Sequence, residues 1–150
     1  MVLLKIYLDN CCYNRPYDDQ SQIRISLETQ AKLYIQNLVK DKQIELVTSY
    51  ILEYENGKNK FGKRKQVIAE FMETNESYYV GIERDSDVAK IAEPIMQTGV
   101  KEKDAFHVAC AILAKCDYFI TTDDRLLKYQ DGRLPLVTPE EFIRRMEVGR

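Results

Sequence analysis

The sequence predicts an α/β fold built around a mostly parallel central sheet. Short apolar runs of strand length alternate along the chain with longer segments whose apolar residues recur at helical spacing. The order is strand, helices, strand, helices, strand, helix, strand, helix. Because parallel strands need crossover connections, usually helices, this order predicts a three-layer α/β/α sandwich. With 150 residues, we expect one domain spanning 1–150.

The first half of the chain contains two predicted strands. Each is a mostly apolar run, and the second is followed by Ser49, a residue type that often caps a helix. The predicted elements are a strand at 3–8, a polar loop at 14–22, a helix at 23–40, a strand at 44–48 and a short helix from Ser49 to about Asn56.

The second half repeats the alternation. Pro94 is expected to kink one helix, and Thr138 with Glu141 forms a capping box around Pro139 at the start of the last one. The predicted elements are a helix at 61–72, an extended piece or loop at 78–82, a helix at 88–96, a helix opened by Asp104, strands at 118–121 and 134–137, and a helix from Pro139.

Composition limits the classes of function. The net charge of −2 excludes a molecule that binds nucleic acid through its overall charge. Four cysteines without a C-x-x-C pair, and a single histidine, do not make a usual zinc site. We expect reduced thiols and a cytoplasmic protein. We expect no membrane partner, because no apolar stretch reaches the length of a span and the start lacks a signal-peptide pattern.

Three acids follow predicted strands or open a helix. Asp9 follows the first strand, Asp104 opens the most apolar helix, and Asp123 follows the strand at 118–121, with Asp124 beside it. Each could simply cap a turn or helix. Together they are more informative, because parallel strands gather their carboxyl ends at one edge of a sheet. We therefore expect these carboxylates to converge on one cleft.

The second predicted strand leads to two glutamates, Glu53 and Glu55. Their spacing of two places them on different helical faces, so only one of them easily points into a shared cleft. Clustered carboxylates repel one another unless a cation neutralises them, and a hard divalent metal is the simplest such cation. Four acids around Mg²⁺ or Mn²⁺ suit attack of metal-activated water on a phosphodiester.

Other polar residues have weaker signals. His107, three residues after Asp104, is interpreted as a packed core histidine, although it could touch a site carboxylate. The basic run that contains Lys58 and Lys60 could bind RNA phosphates or simply be a solvated helix face. Arg15 and Arg125 are the better candidates for phosphate contact, because they lie close in sequence to the acids.

Nearly the whole chain resembles one known family. IYLDNCCYNRP is similar to the first strand and first acid of the PIN-domain ribonucleases, in particular the VapC-type toxins, and VTSYILEYE resembles their second-acid region. KDAFHVACAILAKCDYFITTDDRLL is the strongest match and contains the family's Thr-x-Asp as Thr121-Thr122-Asp123. VTPEEFI resembles the end of the domain.

The resemblance assigns roles to residues of this chain. It implies a PIN-like sandwich whose acids are Asp9, Asp104, Asp123 and, six residues after Ser49, Glu55, with Glu53 as the fallback. Thr121 is expected to order the metal shell. Asn10 is the nearest polar support, since Cys11 stands where the family often has Asn or Ser.

The resemblance also implies an activity and partners. These are a Mg²⁺- or Mn²⁺-dependent endoribonuclease leaving 5′-phosphate and 3′-hydroxyl ends, a homodimer, and a cognate antitoxin that blocks the cleft. Two alternatives stay open. One is a catalytically inactive PIN-like module that binds RNA or protein. The other is a receiver-like signalling domain, which needs adjacent acids after its first strand and a lysine after a late strand. Here the first-strand acid, Asp9, stands alone and the late strand leads to Thr138-Pro139.

Overall fold

A computed structural model describes residues 3–148 and contains a five-stranded sheet. All described strand pairs are parallel, and the spatial order is β3-β2-β1-β4-β5. The strands are β1 Lys5–Leu8, β2 Glu45–Ser49, β3 Tyr78–Val80, β4 Tyr118–Ile120 and β5 Leu136–Val137. The predicted α/β class with a parallel sheet is confirmed.

Helices connect the strands and cover the sheet. Short 3₁₀ turns at Arg15–Tyr17 and Ile82–Arg84 supplement them. The helices are α1 Asn10–Asn14, α2 Ile23–Lys40, α3 Tyr50–Gly57, α4 Gly62–Asn75, α5 Asp85–Gln97, α6 Glu102–Leu113, α7 Asp124–Leu127 and α8 Pro139–Val148. Within the described residues, no helix is long and apolar enough to cross a membrane.

The central strand shows that both faces of the sheet are covered. Successive side chains of a strand point to opposite faces, yet Ile6, Tyr7 and Leu8 are all fully buried. Phe119 and Ile120 of β4 are buried in the same way. Helices therefore pack against both faces, which is the predicted three-layer arrangement.

The strand order determines where a site can form. The chain runs outward from β1 to β2 and β3 on one side, and to β4 and β5 on the other. The sheet thus has a topological switch point at β1, and ligands of open α/β sheets bind beside the carboxyl ends of strands at such a point. The Asp9 amide donates to the Ile120 carbonyl at 2.9 Å, so the ends of β1 and β4 are hydrogen-bonded neighbours.

Most predicted elements have close counterparts in the structure. The helix at 23–40 has the predicted bounds, and the Glu141 amide donates to Thr138 Oγ1 at 3.1 Å, which confirms the predicted cap. The prediction of a loop from residue 14 is wrong at its start, because α1 runs through Asn14 and a 3₁₀ turn follows. A five-residue helix is too short to show an apolar period, so its sequence gives no helical signal.

Candidate metal centre

Asp9 lies at the end of β1, and its buried carboxylate is surrounded by donors. Oδ1 accepts from the Asn10 amide at 2.8 Å, which makes Asp9 the N-cap of α1. Oδ2 accepts from Thr121 Oγ1 at 2.8 Å, and the Cys11 thiol donates to it at 3.5 Å. Asn10 therefore supports Asp9 through its backbone, and Cys11 is a direct polar neighbour. These contacts fix the orientation of the carboxylate.

Thr121 links the first acid to the last one. It is fully buried, and its hydroxyl donates to Asp9 while accepting from the Asp123 amide at 3.1 Å. Asp123 Oδ1 in turn accepts from the Arg125 amide at 2.9 Å and caps α7. The Thr-x-Asp segment thus holds Asp9 and Asp123 in one hydrogen-bonded unit.

Glu55 reaches the same region from α3. A carboxylate oxygen of Asp9, one of Glu55 and a ring nitrogen of His107 all lie within 4.8 Å of one another. Glu55 Oε1 is 2.6 Å from His107 Nε2, and Lys103 Nζ is 3.3 Å from Oε2. Burial alone raises the pKa of Glu55, but the hydrogen bond and charge of His107, together with Lys103, outweigh it and lower that pKa. Glu55 is therefore ionised at neutral pH.

The hydrogen-bond partners of His107 determine that its Nε2 carries a proton. The Tyr7 hydroxyl is 2.7 Å from both His107 Nδ1 and Ser49 Oγ. If Tyr7 donates to Nδ1, the neutral ring carries its proton on Nε2 and donates it to Glu55. If Tyr7 donates to Ser49, Nδ1 must itself carry a proton, and the ring then faces the Glu55 carboxylate as an imidazolium. In both arrangements Nε2 is a donor to Glu55.

Burial and the negative charges of the other acids change the pKa of Asp104, which lies in the first turn of α6. Its partial burial raises its pKa, and the negative charges of Asp9, Asp123 and Glu55 raise it further, whereas His107 lowers it. The carboxylates predicted from strand ends and helix starts are therefore close enough to repel one another.

A cleft of about 700 Å³ opens at Asp104 and Asp123. Positive side chains dominate the rest of its charged lining, which also includes Asp124. The cations are Arg15, Arg24, Lys101, Arg125 and Lys128. A cleft lined by both acids and several cations can accept a metal ion together with a phosphate-bearing chain.

The two alternative acids, Glu53 and Asp124, contact other side chains. Glu53 neighbours Tyr79, whose pKa is raised by burial first and then by this carboxylate, and lines a separate cavity with Thr48 and Glu76. Asp124 forms a two-pronged ion pair with Arg24, at 2.6 and 2.7 Å. Glu53 and Asp124 therefore have partners other than Asp9, although Asp124 also lines the cleft at Asp104 and Asp123.

The predicted RNA-binding cations are divided between two surfaces. Arg15 and Arg125 line the cleft, and Arg15 also pairs with Asp18 and Glu28, each at 3.0 Å. Lys58 and Lys60 are exposed and are not among the residues that line it, and Lys58 Nζ lies 4.4 Å above the ring of Tyr54.

Comparison with solved structures reveals the fold. VapBC2 from Rickettsia felis, bound to a DNA fragment from the promoter, contains a chain with TM-score 0.55 and 14% identity, covering 89% of this chain and 97% of that one. FitAcB from Neisseria gonorrhoeae contains one with TM-score 0.53 and 19% identity, covering 90% and 98%. The chain has a PIN-like fold. No protein-family profile and no curated protein sequence matches it.

At the candidate metal centre the sequence left the contact of His107 open, and it gave no signal for two other residues, Lys103 and Arg24. His107 is buried as predicted, but it also bonds to Glu55, a contact that joins α3 to α6 across 52 residues. Its spacing of three from Asp104 was the available signal. Lys103 was missed as a partner of Glu55, and Arg24 as a residue of the cleft, because both contacts depend on how the helices pack.

Proposed function

We propose that this chain is a Mg²⁺- or Mn²⁺-dependent endoribonuclease that hydrolyses RNA phosphodiester bonds. The observation that carries the proposal is the convergence of Asp9, Glu55, Asp104 and Asp123 at the carboxyl edge of the sheet, where their charges raise the pKa of Asp104 further than burial alone does. Holding these acids together has a cost in free energy that a bound cation offsets.

The donor set fits a hard divalent cation. Asp9, Asp104 and Asp123 offer carboxylate oxygens, which Mg²⁺ and Mn²⁺ prefer. Glu55 offers a further one, while the Nε2 proton of His107 points at Glu55 and keeps that nitrogen from acting as a ligand. Oxygen ligands without a free imidazole favour these ions over zinc.

The expected chemistry divides between the cation and the protein. A bound divalent ion acidifies water and stabilises the charge that develops on a phosphate under attack. Thr121 and the amide of Asn10 hold the Asp9 carboxylate in place, and His107 and Lys103 hold Glu55. Arg125 and the other cations of the cleft bind the phosphates that flank the scissile bond.

The proposal includes the biological setting that the family resemblance implies. We propose that the chain is the toxin of a type II toxin–antitoxin pair, that it forms a homodimer, and that a cognate antitoxin blocks the cleft. Support comes from the PIN-like fold shared with chains of VapBC2 and FitAcB. Mass measurement of the protein, alone and purified with its antitoxin, tests both associations.

Digestion of RNA by the purified chain tests the activity. We expect cleavage in Mn²⁺ or Mg²⁺ that leaves 5′-phosphate ends, stops in EDTA, and is lost in Asp9→Asn and Asp123→Asn. Asp124→Asn is the matched control. It removes the same charge from the adjacent position, but the Asp124 carboxylate is already paired with Arg24 and is not one of the proposed metal ligands. Cleavage that persists in EDTA contradicts the proposal. RNA binding without cleavage favours the inactive binding module.

A further inference from the structure

A second surface combines exposed aromatic rings with an arginine. The guanidinium of Arg64 lies 4.5 Å from the centre of the Tyr17 ring and 4.3 Å from that of Phe61. Tyr17 is 43% exposed and Phe61 is 52% exposed. We call these three residues the aromatic platform. Large apolar rings at this exposure are available to a ligand with flat faces.

The platform lies in a positively charged part of the chain. Residues 56–69 contain five cations and no acid, namely Lys58, Lys60, Lys63, Arg64 and Lys65. Among the described residues Arg64 has no ion pair with an acid, and its Nε is buried without a hydrogen-bond partner. A guanidinium that contacts aromatic rings and no acid keeps its charge for a ligand anion.

A run of hydrogen bonds joins the platform to the candidate metal centre. The Phe61 amide donates to Asn59 Oδ1 at 3.0 Å, and Asn59 Nδ2 donates to Asn14 Oδ1 at 3.2 Å. Asn14 Nδ2 donates to the Asn10 carbonyl at 3.0 Å, and the Asn10 amide donates to Asp9 at 2.8 Å. The loop that carries Phe61 is therefore fixed relative to Asp9.

We propose that the aromatic platform stacks unpaired bases of single-stranded RNA and thereby binds the strand next to the acids. The inference rests on RNA being the substrate. Rings and a guanidinium plane stack on any base, while the surrounding lysines attract phosphates, which is the combination that single-strand binding uses. A paired helix stacks its bases internally and does not present their faces.

Binding without cleavage tests the platform. In the Asp9→Asn background, the affinity for a labelled oligouridine and for an abasic oligomer of equal length is measured by fluorescence anisotropy. Phe61→Leu and Arg64→Lys each weaken oligouridine binding about 5- to 150-fold, the equivalent of one lost stacking contact at about 1–3 kcal/mol. Binding of the abasic oligomer changes little, and Phe61→Trp retains affinity.

Two controls distinguish a loss of base stacking from a loss of charge and from a failure to fold. Arg64→Lys keeps the charge and loses the plane, whereas Lys63→Ala removes a charge and weakens both oligomers to the same extent. Thermal melting checks that the variants fold. Equal affinity of the parent for both oligomers, or an unchanged affinity in Phe61→Leu, overturns the inference; the latter is also expected if the platform docks a protein.

Cleavage kinetics separate this inference from the proposed function. In the otherwise unmodified chain, Arg64→Lys raises KM and leaves kcat unchanged, because the lost contact is made by bound substrate and transition state alike. Metal-dependent cleavage with an unaltered KM refutes the platform alone. Base-dependent binding with no cleavage under any metal refutes the nuclease and leaves the platform standing.

Discussion

Replacing Thr121 with valine removes one hydroxyl from a fully buried position and changes the side-chain volume little. That hydroxyl donates to Asp9 Oδ2 at 2.8 Å and accepts from the Asp123 amide at 3.1 Å. A hydrogen bond to a charged group contributes about 1.5–3 kcal/mol. Asp123 is exposed, so water can replace the partner of its amide and this second loss is small.

The valine variant should therefore lose about 1.5–3 kcal/mol of stability, or about 3–12 °C of Tm for a chain of this size. Because Asp9 loses the partner that orients it, affinity for Mn²⁺ or cleavage activity should fall about 10- to 100-fold. Chemical denaturation measures the first effect. Calorimetric titration with Mn²⁺ and RNA cleavage measure the second.

Thr121→Ser is the matched control, because it keeps the hydroxyl and removes a methyl group. It should lose about 1 kcal/mol of stability from the smaller buried side chain and retain most of its activity. A Thr121→Val variant with wild-type metal affinity and activity refutes the proposed role of the hydroxyl in orienting Asp9. So does serine with as large a loss of activity as valine.

Two further predictions concern buried side chains, Tyr7 and Lys32. Tyr7→Phe keeps the ring stacked on Phe119 but leaves His107 Nδ1 without a partner. The free energy of unfolding in urea should fall by about 1–3 kcal/mol, and cleavage should be slower because His107 no longer holds Glu55 firmly. A variant of unchanged stability contradicts this hydrogen bond. Burial lowers the pKa of Lys32 from 10.5 to about 8. The folded protein therefore holds this proton less tightly than the unfolded chain, and the charged lysine lowers stability at neutral pH. Stability should rise between about pH 8 and 10.5, where the folded state loses the proton first. Lys32→Met should therefore gain about 1–3 kcal/mol at pH 7 and lose the rise in stability over that window; a less stable variant refutes the assignment.

The positions of the main acids could be predicted because they depend on sheet topology. Asp9 and Asp123 follow strands, and parallel strands bring their carboxyl ends together whatever the side-chain details. Asp104 opens a helix with a strong apolar pattern, so its place at the same edge was also predictable. The structure brings Glu55 beside Asp9, as the resemblance implied, and places Glu53 next to Tyr79.

The remaining contacts depend on how helices pack, which local patterns do not report. The hydrogen bond from His107 to Glu55 forms only if α3 and α6 pack at the right distance and with the right faces towards each other. The ion pair of Arg24 with Asp124 joins residues that are 100 positions apart in sequence. The hydrogen-bonded asparagines between Asp9 and Phe61 need α1, a helix too short to be predicted. Sequence thus predicts which residues gather at the edge of the sheet, and packing determines their partners.

Anomalous scattering from a crystal soaked in Mn²⁺ tests the metal centre most directly. We expect a peak bound by Asp9 and by Asp104 or Asp123, with His107 still hydrogen-bonded to Glu55, and no peak in Asp9→Asn crystals soaked in the same way. Absence of a peak at Asp9, or a Mn²⁺ ion bound to His107 Nε2, contradicts the account.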